Sequence, residues 1–187
     1  MTVTSARPRA SSLRAALLIM LNPSQVVRGF MGEVPLVFSF CISGMAFTLF
    51  FLQTGLDRHR VGNLSDGGVA LLALTGILYG TLGVATVAAI GWGLTYPAKT
   101  DRSLPWALRA FALSYSPALV YASLGVIFNV AFGWNTAIAF GVTGVLWAIG
   151  PLIATVREML GGRLGVSMVI ATICGGLVLF GWALIGT

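Results

Sequence analysis

An all-α membrane protein, with five transmembrane helices in one bundle, is the fold class this sequence predicts, and three observations predict it. Hydrophobic residues make up 57% of the 187-residue chain and charged residues 9%, where a soluble domain averages about 25% charged. So few charges cannot clothe a soluble globule, and lipid has to be part of the solvent. Five stretches free of formal charge also match the about 20 residues that cross a ~30 Å hydrocarbon core at ~1.5 Å per residue. Lysines and arginines, finally, gather in alternate connecting segments. Strands are excluded because the apolar runs are continuous and too few to close a barrel.

Residues 1–33 read as a cytoplasmic tail ending in an amphipathic helix. Leu13, Ala16, Leu17, Met20 and Leu21 recur at helical spacing beside Ser12 and Arg14, the pattern of a helix lying on the membrane surface. Its apolar core, Ala15 to Leu21, is only seven residues long and runs into Asn22-Pro23 without a small-x-small cleavage site, so a signal peptide is not expected. Asn22-Pro23-Ser24-Gln25 then has the form of a helix start. Asn is a good N-cap, Pro suits the first helical position, and Gln three residues on can close a capping box.

Residues 34–187 form the transmembrane domain, with spans at about 34–54, 69–94, 111–130, 134–156 and 165–185. The third and fourth are separated by a few residues around Gly133 and read as a helical hairpin. In the second span Ala73, Gly76, Gly80 and Gly83 fall on one face, and Gly141, Gly144 and Ala148 do so in the fourth. Small residues let helix backbones approach closely where lipid removes the hydrophobic drive between helices. These stripes either pack the chain's own bundle or, facing outward, form a dimer interface. The third span is the most polar: Ser114, Tyr115, Ser116, Pro117, Tyr121 and Asn129 lie in or beside it. Pro117 predicts a kink there, and Pro151 one in the fourth span. The hydroxyls around Pro117 either line a small polar cavity or satisfy backbone groups that the proline disrupts. Cys41 and Cys174, both within spans, read as buried small apolar residues.

Orientation follows from the basic residues. Arg7, Arg9, Arg14 and Arg28 precede the first span, Lys99, Arg102 and Arg109 follow the second, and Arg157 and Arg163 follow the fourth. Only Arg58 and Arg60 lie on the other side. Nine against two predicts the N-terminus inside and the C-terminus outside. The net charge of +6 is therefore assigned to anionic lipid headgroups, and nucleic acid is not an expected partner.

The chain has one histidine and five acids: Glu33, Asp57, Asp66, Asp101 and Glu158. His59 lies in the first outer loop, away from any candidate nucleophile in sequence, and no two acids are closer than nine residues, so no metal-dependent site is predicted. Neither an enzyme nor a cofactor is expected. A transporter would ordinarily carry ionisable residues within its spans, and these have none; a neutral route along Ser114, Ser116, Tyr121 and Thr143 is the alternative reading. The leading one is a non-catalytic scaffold, adaptor or subunit. Its contact residues would be Arg14, Asn22, Pro23 and Arg28 in the N-terminal region and Lys99, Arg102, Trp106 and Arg109 in the second cytoplasmic segment. They would meet anionic lipid, another membrane protein or a second copy. Trp106 is also the residue type that anchors spans at the headgroup level.

Asn22-Pro23 with Phe30 downstream, in LNPSQVVRGF, and Tyr115-Ser116-Pro117, in SYSPALVY, resemble the bacterial branch of the Yip domain family (Ypt/Rab-interacting proteins). The resemblance runs from about Leu17 to the C-terminus. It implies five transmembrane helices, a cytosolic N-terminus and, for this branch, residence in the bacterial cytoplasmic (inner) membrane. Eukaryotic members bind small GTPases and take part in vesicle traffic; their long acidic or polar cytosolic N-terminal region has no counterpart here, and that role is not carried over.

Overall fold

The computed structural model describes residues 12–98 and 101–186. Arg7, Arg9 and Lys99 lie outside the described residues.

Two short helices come first, α1 (Ser12–Leu21) and α2 (Pro23–Gly29). Asn22 starts the second: its Oδ1 accepts the Gln25 amide at 3.3 Å, its Nδ2 donates to Gln25 Oε1 at 3.2 Å, and Pro23 sits in the first turn. The expected capping box is thus closed side chain to side chain, because the Asn22 N–H is already given to the Leu18 carbonyl at 2.7 Å.

Five helices long and apolar enough to cross a membrane follow. The first is α3 (Leu36–Arg60). The second comprises α4 (Asp66–Leu78), a π turn over Tyr79–Gly83, α5 (Val84–Thr95) and a closing 3-10 turn, Tyr96–Ala98. In the third, α6 (Leu104–Leu113) and α7 (Ser116–Phe132) are separated by Ser114 and Tyr115. The fourth opens with a π turn, Ala137–Val142, and continues as α8 (Thr143–Met159); the fifth is α9 (Leu164–Gly186).

All five predicted spans are present, with shifted ends. The first runs on through Asp57, Arg58, His59 and Arg60, which the sequence reading placed in a loop. The fourth begins after Trp134, because Gly133 closes α7 in the left-handed region (φ +69°) and the chain turns before re-entering a helix. The kink expected at Pro117 is instead a break. Pro117 stands in the first turn of α7, where its missing N–H removes no helical bond. Pro151 is inside α8 as expected.

Packing centres on the first and third spans. Phe47, Phe50 and Phe51 of α3 meet Tyr79, Tyr115 and Trp182 from three other spans in one aromatic cluster, Phe50 stacking on Trp182 at 4.7 Å. Polar side chains tie the same helices. Gln53 Nε2 donates to the Ala122 carbonyl at 2.9 Å, Tyr79 OH to the Val178 carbonyl at 2.6 Å, and Trp182 Nε1 to Thr54 Oγ1 at 3.0 Å. Among apolar helices in lipid, such bonds and close packing are what hold neighbours together.

The N-terminal arm is not a separate body. Ala15, Ile19, Val26, Val27 and Met31 are buried in the same core as the spans, so the boundary drawn at residue 33 is one of sequence only. Of the apolar face read on α1, Ala16 turns into the protein, while Leu13, Leu17 and Leu21 form an exposed edge.

Candidate functional site

The end of the bundle that carries the arm gathers most of the residues singled out from the sequence. Glu158, near the end of α8, accepts a hydrogen bond from Arg28 Nε at 3.2 Å and another from Arg102 Nη2 at 2.6 Å. The Arg102 guanidinium lies 4.9 Å from the centre of the Trp106 ring, a cation–π contact. The Arg102 carbonyl accepts Trp92 Nε1 at 2.9 Å. One carboxylate therefore draws together α2, the segment before α6, and α8. Arg28 and Arg102 are engaged, and two guanidiniums on one carboxylate leave a positive balance.

Trp106 does not stand at the lipid surface as an anchor; it is buried beneath Arg102. Helical spacing puts Trp106 and Arg109 on one face of α6, and Arg109 is half-buried with its Nε unpartnered among the described residues. Arg14 is exposed on α1. Asn22 and Pro23 serve as the cap and first turn of α2.

The opposite end holds a cluster that sequence reasoning missed. Asp57 accepts the backbone amides of Thr136 and Ala137, both at 2.9 Å, and Asn129 Nδ2 at 2.5 Å. Arg60 Nη2 donates to Asn129 Oδ1 at 2.8 Å and to the Asn129 carbonyl at 3.1 Å. Arg58 Nη1 donates to the Gly186 carbonyl at 3.1 Å. An acid at the start of the fourth span and a cation at the end of the fifth both match the helix dipoles. The signal was present in Asp57-Arg58-His59-Arg60 and in Asn129, an amide one turn before Gly133 in the most polar span. Nothing local showed that the two would meet.

The polar residues of the third span divide between bonds to backbone and ring packing. Ser114 Oγ bonds the Ala110 carbonyl at 2.7 Å and faces Thr155 Oγ1 at 3.4 Å; Ser116 Oγ bonds the Leu113 carbonyl at 2.7 Å. Tyr121 packs edge-on against Trp147, and Tyr115 is fully buried with its hydroxyl unpartnered among the described residues. Of the two roles the sequence left open, satisfying backbone groups is the one seen for both serines.

The small-residue stripes turn inward. A Cβ on Gly76 would sit 2.5 Å from the Phe47 carbonyl oxygen and one on Gly80 within van der Waals overlap of the Ser43 carbonyl. Gly141 and Gly144 make room for Phe50 and for Ala118 and Tyr121. Gly83 meets only the Tyr79 ring of its own helix. The cysteines differ from each other: Cys174 is buried as expected, whereas Cys41 is exposed.

Among the described residues no three of His, Cys, Asp and Glu converge. Comparison with protein-family models, curated proteins and solved structures finds no match.

Proposed function

We propose that this chain is a non-catalytic membrane scaffold or subunit that organises another membrane protein, or a second copy, along its lateral wall. It resides in a bacterial cytoplasmic membrane, N-terminus inside, with the arm end against anionic lipid. The observation that carries the reading is the uneven burial of the five spans. Over an 18-residue stretch of each, the chain's own bundle buries 50% and 56% of the first and third, but 17% and 22% of the second and fifth. Leu71, Leu74, Leu78 and Leu82, at steps of three and four residues, project outward from the second span. That spacing is the one by which helices interlock side chains.

Supporting the sidedness, the exposed edge of Leu13, Leu17 and Leu21 lies at the end where the arginines gather, the arrangement of an interfacial helix over an anionic leaflet. The resemblance to the bacterial Yip proteins belongs to the same proposal; its two motifs place Pro23 and Pro117 in the first turns of α2 and α7. A transport reading would draw on the third-span polar face, but its serine hydroxyls are engaged with backbone.

The test is the size of the particle extracted in a mild detergent and run on a native gel. The wild-type chain should migrate well above a detergent-bound 19.6 kDa polypeptide. Replacing Leu74 and Leu78 by Trp should reduce it to single-chain size with unchanged thermal unfolding. A wild-type chain that already runs alone, or a large particle indifferent to both substitutions, would sink the reading.

A further inference from the structure

Arg109 stands five residues into the third span, Leu104–Phe132, whereas the other described arginines lie outside the spans or in the last turn of one. Its side chain is half-buried, and Nε is enclosed without a hydrogen-bond acceptor among the described residues. The chain itself supplies no counter-charge. Its five acids, Glu33, Asp57, Asp66, Asp101 and Glu158, are all described, and their ion pairs are Arg28–Glu158, Arg102–Glu158 and His59–Asp66. None reaches Arg109. A guanidinium does not shed its proton to escape such a place, and an unpaired charge held within a span is costly. With Nε sealed inside, the two Nη atoms form the side of the group that an anion from outside the chain can meet.

The surroundings say which anion fits. One turn back on the same face, Trp106 is buried beneath the Arg102 guanidinium, 4.9 Å from the ring centre. Arg102 shares the Glu158 carboxylate with Arg28. With Arg109, this end of the bundle sets three guanidiniums against that one carboxylate, a balance that favours a headgroup of net negative charge. Depth points to the same ligand. Arg109 lies ~8 Å along α6 from Leu104 at ~1.5 Å per residue, within reach of the interface for a long side chain that leads its charge back to it. Lipid phosphates lie at that level, and two oxygens of a phosphate match the planar fork of a guanidinium.

We propose that Arg109 is the phosphate-binding residue of a site for one acidic phospholipid at the arm end, with Arg102 as the neighbouring cation. The site rests on the proposed placement of this end against anionic lipid and narrows a diffuse attraction to one guanidinium. The leucine wall plays no part in it.

Native mass spectrometry of the full chain in mild detergent, with phosphatidylglycerol or phosphatidylcholine added at equal concentration, counts the lipid bound. The wild type should retain one phosphatidylglycerol in preference to phosphatidylcholine. Arg109→Gln should bind it about tenfold more weakly, as for a lost charge-assisted hydrogen bond, while unfolding no earlier than the wild type in lipid-free detergent. Arg109→Lys keeps the charge without the fork and should fall between the two; it carries the test if the neutral variant does not assemble. Arg14→Gln, on the exposed side of α1, should bind as the wild type does. Equal losses in Arg14→Gln and Arg109→Gln would overturn the site and leave only a diffuse attraction for anionic lipid. A wild type without preference for phosphatidylglycerol would overturn both the site and the placement of this end. Inorganic phosphate that stabilises the wild type through Arg109, with phosphatidylglycerol adding nothing, would overturn the lipid as its occupant.

Discussion

Asp57 receives two backbone amides and the Asn129 side chain, while Arg60 holds the other side of that same amide. Its removal leaves the amides at the start of the fourth span without their acceptor and the buried Asn129 amide with Thr136 Oγ1 at 3.3 Å alone. Asp57→Ala should cost about 2 kcal/mol, at the upper end for a lost helix cap, and read as a lower thermal midpoint in detergent. Because Asn129→Ala acts on the same network, the double variant should lose less than the sum of the singles; simple additivity would mean that the two groups do not share a network. At the arm end the Glu158 pairs are partly solvated, so solvent screening reduces their contribution. Glu158→Gln should cost about 1 kcal/mol or less, seen chiefly as faster amide exchange over α1 and α2; unchanged exchange there would mean that hydrophobic packing alone holds the arm. All of these charges were legible in the sequence, but their partners were not. Arg28 meets Glu158 across 130 positions and Asn129 meets Asp57 across 72. Helical periodicity reports which residues share a face of one helix and carries no information about which ends of different helices coincide.

Each helix was legible through its charge-free length, and its ends were less so. The first span extends through Arg60 because Asp57, Arg58 and Arg60 have helix-end partners to reach, and a residue's charge alone does not stop a helix. Pro117 was legible as a disruption, yet a proline inside a helix and one starting a new helix look alike when Ser114 and Tyr115 could continue either. The π turns left no recognisable mark. They matter, because the one at Tyr79–Gly83 lets the second span serve α3 with one half and α6 and α9 with the other. The glycine stripe was readable as a face, and only the tertiary contacts show that it faces α3. Gly80→Leu would press a side chain into the Ser43 carbonyl and the Gly44 backbone, which cannot yield as a flexible side chain does. It should therefore destabilise the monomer by about 3 kcal/mol, at the upper end for overpacking, and not merely weaken an assembly. A Gly80→Leu chain with wild-type thermal stability and an altered native-gel size would return this stripe to an outer interface.

At the scale of the whole molecule, the two ends differ in charge and the sides differ in coverage. By sequence segment, the side of the arm counts nine basic residues against Glu33, Asp101 and Glu158, and the other side Arg58 and Arg60 against Asp57 and Asp66. An end with a net positive charge prefers the cytoplasmic side of a bilayer and its anionic lipids. Both charged clusters join helices, and the second and fifth spans are the ones that the bundle's own helices cover least. The proposed scaffold role rests on their outer wall. Isolation from the native membrane on a C-terminal tag, after gentle solubilisation, with mass spectrometry of what stays bound, tests it most directly. The account predicts one membrane protein, another kind or a second copy of this chain, at fixed stoichiometry and lost when Leu74 and Leu78 are replaced by Trp. A chain that emerges alone, carrying a single enriched solute, would contradict the scaffold and favour transport.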